Sequence, residues 1–175
     1  MIVNEYSNGT TGSKEFVELL VIGSAANPTA PVDLSGWIVD DNNGDFEGSG
    51  TGKGIAPGNI RFASGCFTSV RPGTLITIYN SNDRNLNLPA DDETDLNGDC
   101  MYILPSTSAC LESCSSRPTS TDPTYTPCSY GAGVYTRISL RNGGDALQVR
   151  DAGLNFFHGF SFGDLGAPFP TFPAS

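Results

Sequence analysis

The densest run of chemically capable side chains is Asp91-Asp92-Glu93-Thr94-Asp95-Leu96-Asn97-Gly98-Asp99. Oxygen-bearing residues alternate with others there, and Gly98 permits a sharp turn. Such spacing lets oxygens converge on a hard cation. Glu93, Asp95, Asn97 and Asp99 occupy alternate positions, as the leading ligands of a calcium loop do. The departures are Glu at the first position, Leu104 where the closing acid belongs, and no flanking helix. A solvated acidic loop is the competing reading. No cofactor is the expectation, with calcium on these four residues as the leading alternative.

Other groupings are weaker. Asp40, Asp41, Asn43 and Asp45 form a second acidic cluster, but Asp and Asn are ordinary turn residues. Glu5 and Glu18 fall in neighbouring expected strands, and paired carboxylates can cleave glycosides when suitably separated. A strand Glu more commonly faces solvent or accepts hydrogen bonds. His158, the single histidine, lies in an aromatic stretch with no Gly-x-Ser-x-Gly elbow in the chain. Cys110, Cys114, Cys128 and His158 make a conceivable zinc set with loose spacing. Tyr79, Tyr102, Tyr125, Tyr130, Tyr135, Phe156, Phe157, Phe160 and Phe162 could line a sugar- or peptide-binding surface, although core packing is their commoner use. None of these is a catalytic constellation, and no enzyme activity is expected.

The elements that must position these groups read as strands. Across 175 residues, 38% are hydrophobic and only 16% charged, with 21 Gly and 12 Pro. That balance suits one compact all-β domain better than a charged helical bundle. Strands are expected at 2–6, 16–22, 37–39, 59–62, 75–79, 134–140, 146–150 and 155–162, separated by Gly/Asn/Asp turns. Asn142-Gly143-Gly144-Asp145 is a hairpin signal. The stretch 80–133 stands apart: rich in Ser, Thr and Pro, with one short strand at 101–104, it reads as a functional or separately stapled insertion.

A net charge of −10 opposes binding to a phosphate backbone, so nucleic acid is not an expected partner. No apolar run is long enough for a membrane-spanning helix, so no membrane insertion is expected. Met1 leads straight into Ile2-Val3-Asn4-Glu5-Tyr6 with no signal peptide, as in an excised domain or a mature chain with an added Met.

The five cysteines, Cys66, Cys100, Cys110, Cys114 and Cys128, all fall in the loop-rich middle. Two disulfides and a spare thiol would staple loops that lack a core of their own, which places the chain in a secreted or surface setting. Five reduced thiols in a cytosolic protein is the alternative. A bridge from Cys66 to Cys100 would be worth roughly 3–4 kcal/mol in the chain-entropy model.

Several segments together resemble the lamin-tail domain family in its bacterial form. Ile2-Val3-Asn4-Glu5-Tyr6 is similar to its opening strand, and Glu15-Phe16-Val17-Glu18-Leu19 to its second. Val32-Asp33-Leu34-Ser35-Gly36-Trp37 is similar to its most characteristic turn. Pro72-Gly73 followed by residues 75–79 resembles the central strand, and residues 142–153 the closing hairpin. The resemblance covers about residues 2–80 and 134–160; residues 81–133 depart from it. It implies a single immunoglobulin-like β-sandwich over 1–175, with the insertion at about 81–133. It also implies a non-catalytic interaction or adhesion module of a secreted or cell-surface protein, with a protein or glycan partner on the extracellular side. The alternatives are a carbohydrate-binding accessory module of an extracellular hydrolase and a calcium-dependent enzyme domain.

The turn itself supports that fold on physical grounds. Trp37 can bury a large apolar area in the core. Asp33 and Ser35 can hydrogen-bond the turn backbone. Gly36 suits a positive φ that a Cβ would resist.

Overall fold

The computed structural model describes residues 1–9, 14–40, 59–114, 130–132, 140 and 144–163. All regular structure among them is β. The strands are β1 (Ile2–Ser7), β2 (Phe16–Leu20), β3 (Ile38–Asp40), β4 (Asn59–Phe62), β5 (Leu75–Tyr79), β6 (Met101–Pro105), β7 (Leu111–Cys114), β8 (Gly131–Ala132), β9 (Gly144–Arg150) and β10 (Phe156–Gly163). They form a four-stranded sheet ordered β1-β2-β5-β6 and a six-stranded sheet ordered β10-β9-β3-β4-β7-β8. Two sheets around one core make the expected β-sandwich.

Strand periodicity explains which residues face inward. In β2, Val17 and Leu19 are buried while their neighbours are half-exposed. Leu19 stands opposite Ile76 and Val17 opposite Ile78, so two adjacent strands present apolar pairs to the core. The other sheet answers with Val39, Ile60, Phe62, Leu111, Leu147 and Val149. Phe62 and Phe67 meet edge to face at 4.9 Å, and Phe67 meets Tyr102 at 5.4 Å. Trp37 sits half-buried one residue before β3 and packs against this core from its margin, edge-on to Phe157 at 4.9 Å. The centre of the sandwich is therefore Phe62 and Phe67 rather than the tryptophan.

The characteristic turn adopts the geometry its residues favour. Asp33 Oδ1 accepts from Ser35 N at 2.8 Å; the Ser35 hydroxyl first, and then this backbone N–H, lower the pKa of the Asp33 carboxyl. Gly36 has φ +80°, and its N–H donates to Phe62 O at 2.9 Å. A Cβ there would lie 3.2 Å from Ala152 Cβ.

The middle of the chain is more integral than its composition indicates. Two further strands join β6 within or beside the expected insertion: β7 pairs with β4, and the short β8 pairs with β7. β6 runs parallel to β5, unusual in a sandwich otherwise built from antiparallel pairs. Such a crossover is usually helical; here residues 80–100 span it without a helix. The expected strand at 134–140 lies outside the described residues, apart from buried Leu140.

Cys66 pairs with Cys110 across a Cα separation of 5.6 Å, not with Cys100. The bridge extends the β4–β7 ladder: Phe62 stands opposite Leu111, Ala63 N donates to Cys110 O at 2.9 Å, and the disulfide follows. Cys100 is unpaired and half-buried, in a left-handed conformation of φ +64°. Cys128 lies outside the described residues. No helix among the described residues is long and apolar enough to cross a membrane.

Candidate functional site

The connection 80–100 is stitched to the four-stranded sheet by its own polar side chains. Asp91 accepts from the Tyr79 hydroxyl at 3.0 Å and pairs with Arg84. The Arg84 guanidinium lies 4.7 Å over the Tyr79 ring, and Arg84 also donates to Pro89 O. Burial together with the Asp91 carboxylate raises the Tyr79 pKa. Asp92 forms an isolated antiparallel bridge to Ile103, exchanging both backbone hydrogen bonds. That bridge covers the outer edge of β6, which would otherwise offer unpaired backbone groups.

The four calcium candidates take separate roles in this stitching. Glu93 Oε2 accepts from Ser108 Oγ at 2.6 Å. Asp95 Oδ2 accepts from Arg71 Nη2 at 3.1 Å, and its Oδ1 from Cys100 N at 3.0 Å. Asn97 Oδ1 accepts from Asp99 N at 3.0 Å, and Asp99 Oδ1 from Met101 N at 2.9 Å. Asn97 and Asp99 thus make Asx-type turns, while Glu93 and Asp95 tie the connection to Ser108, Arg71 and Cys100. No three His, Cys, Asp or Glu side chains gather as a metal site among the described residues. Asp91, Asp92, Asn97 and Asp99 do line a cleft of about 230 Å³ floored by Met101 and Ile103. Two large apolar side chains stand out from the same connection: Leu86 is 82% exposed and Leu96 is 90% exposed.

The remaining candidates disperse. Glu5 and Glu18 are direct cross-strand partners. Glu18 is occupied by Asn4 Nδ2 at 2.7 Å and by the Thr77 hydroxyl at 3.3 Å. His158 Nδ1 accepts from Val3 N at 3.2 Å, joining the edges of the two sheets. Burial, and then the N-terminal ammonium, lower its pKa. The zinc set fails because the Cys110 sulfur is spent in the disulfide. Tyr6, Phe160 and Phe162 cluster against the core between β1 and β10, with Tyr6 stacked on Phe162 at 4.2 Å. Tyr125 and Tyr135 lie outside the described residues, as do Asp41, Asn43 and Asp45. Asp40 is not a solvated turn residue: it ends β3 fully buried, where its Oδ2 accepts from Gln148 Nε2 at 3.2 Å. Arg150 Nε in turn donates to Gln148 Oε1 at 2.9 Å.

One polar pocket escapes sequence reasoning. Arg61 Nε donates to Glu112 Oε2 at 2.7 Å. The guanidinium rests 3.9 Å over the Tyr130 ring. The Tyr130 hydroxyl is buried without a hydrogen-bond partner, and burial pushes its pKa up to about 12. Arg61, Glu112, Ser35, Gly36, Phe62 and Ser64 line a pocket of about 300 Å³. The alternation of β7 was the missing signal, since Glu112 becomes the partner of Arg61 only once β7 is placed beside β4. Comparison with family models, with curated proteins and with solved structures returns no match.

Proposed function

We propose that this chain is a lamin-tail-like interaction module of a secreted or cell-surface protein, with residues 80–100 as its recognition element. The observation that carries the reading is the exposure of Leu86 and Leu96 on a connection pinned to the sheet by Asp91, Asp92 and Asp95. A pinned loop loses less conformational entropy on binding than a free one. Loops on a rigid β scaffold are where recognition commonly resides. The Cys66–Cys110 bridge supports an oxidising, extracellular setting. The chain's acidity favours partners other than nucleic acid.

The test compares labelled wild-type protein with a Leu86→Ser/Leu96→Ser variant on intact cells and on immobilised extracellular-matrix proteins. The expected outcome is saturable binding that weakens at least tenfold in the variant. Equal binding by the two proteins would refute the reading. So would turnover by the wild type in a screen of generic ester, glycoside and nucleic-acid substrates.

A further inference from the structure

We propose that the pocket between the Ser35–Gly36 turn and the Arg61–Glu112 pair binds one ring of a neutral saccharide. This goes beyond the recognition loop and does not depend on it. The pocket is built from three separate parts of the chain: the turn before β3, the end of β4 with the turn after it, and β7. Its volume of about 300 Å³ is at the small end of ligand sites, enough for a single ring rather than an extended chain.

The chemistry of the lining selects the ligand class. Arg61 is fixed on two sides, by Glu112 along one edge and by Tyr130 against its face. Both Arg61 contacts to Glu112 use Oε2, at 2.7 Å from Nε and 2.5 Å from Nη2. Glu112 Oε1 and Arg61 Nη1 keep their hydrogen-bonding capacity, and the two side chains are 28% and 33% exposed. A carboxylate oxygen only accepts, and a guanidinium only donates. A sugar hydroxyl does both, so adjacent hydroxyls can satisfy the two groups together. Ser64 adds a hydroxyl of the same dual character, and the Ser35 hydroxyl, which donates to Asp33, adds an acceptor. The ion pair is neutral as a unit: an anionic ligand would meet Glu112 and a cationic one Arg61.

The experiment is a backbone-amide NMR titration of the whole chain with glucose, galactose, mannose, N-acetylglucosamine, glucuronate and glucosamine. At least one neutral sugar should give saturable shifts at residues 35–36, 61–64 and 112, with a dissociation constant in the millimolar range expected of so small a ligand. Ser64→Tyr, placed on an exposed turn to fill the mouth, should abolish these shifts. Glu112→Gln should weaken binding at least tenfold, and Leu86→Ser/Leu96→Ser should leave it unchanged. The proposal is overturned if no neutral sugar saturates, or if the shifts map elsewhere. It is also overturned if they survive Ser64→Tyr, or if the charged sugars bind more tightly than all the neutral ones. Failure of the loop variant to bind cells, with sugar shifts intact, would bear only on the recognition loop.

Discussion

Removing the Cys66–Cys110 bridge isolates how much the cross-link contributes beyond the strands it joins. The bonded residues are separated by 44 positions. In the chain-entropy model, a closed loop of that length removes about 13 cal/mol/K from the unfolded chain, or about 4 kcal/mol at room temperature. The native ladder should survive the loss. β7 pairs with β4 over four residue pairs, and Ala63 N still donates to residue 110 O. Cys66 is exposed, so serine there loses little packing, and half-buried Cys110 adds a few tenths to about 1 kcal/mol. The expected cost is therefore about 4–5 kcal/mol, a large share of the roughly 5–15 kcal/mol typical of a domain. The assay is equilibrium urea unfolding of Cys66→Ser/Cys110→Ser against its parent, both carrying Cys100→Ser to prevent thiol exchange. The midpoint should fall, and the m-value should rise because the uncrosslinked chain exposes more surface on unfolding. A loss under about 1 kcal/mol with an unchanged m-value would refute the premise that the bridge acts by constraining the unfolded chain.

Phe67→Ala should cost about 3–5 kcal/mol, because its fully buried ring touches Phe62 and Tyr102. Trp37→Ala, at the core margin, should cost about 1–2 kcal/mol by partial burial; thermal melts ranking the two in reverse order would overturn the placement of the core. Gly36→Ala should cost about 1–2 kcal/mol from its left-handed backbone, with Ala152 adding crowding; denaturant unfolding equal to wild type would show that the turn relaxes freely. His158 makes stability pH-dependent. Its folded pKa lies below the unfolded value of about 6.5, so between the two values the unfolded chain holds more protons. The stability that neutral His158 provides is thus complete above about pH 6.5, declines as pH falls towards the folded pKa, and levels off below it. His158→Gln, which keeps an acceptor for Val3 N, should lessen the slope of urea midpoint against pH in that window, with the remainder coming from the Met1 ammonium, whose pKa burial lowers to about 5; an unchanged slope would assign the whole dependence to other groups.

Alternation made much of the scaffold legible. Val17 and Leu19 on one face, and Ile76 and Ile78 on another strand, mark β2 and β5 without reference to any partner. The strands at 59–62 and 75–79 lie where local pattern puts them. Asp33 and Gly36 also act locally, as their types demand. In the candidate site, the same local logic misdirects. Oxygen-bearing side chains at alternate positions in 93–99 suit a cation and suit Asx turns equally well; Asn97 and Asp99 make such turns, while Asp95 accepts from Cys100 N and Arg71. β7 was hidden because four residues flanked by Ser and Cys carry too little apolar pattern.

From sequence alone came the all-β class and the turn before β3, since strand periodicity and turn chemistry depend on residues a few positions apart; the sandwich was what the family resemblance implied. Tertiary structure alone decided that Cys66 joins Cys110, that Asp40 is buried against Gln148, that β6 lies parallel to β5 and that Arg61 meets Glu112. Each of these depends on which distant strands become neighbours. That choice rests on the packing free energy of the whole core, and no local window of the chain contains it.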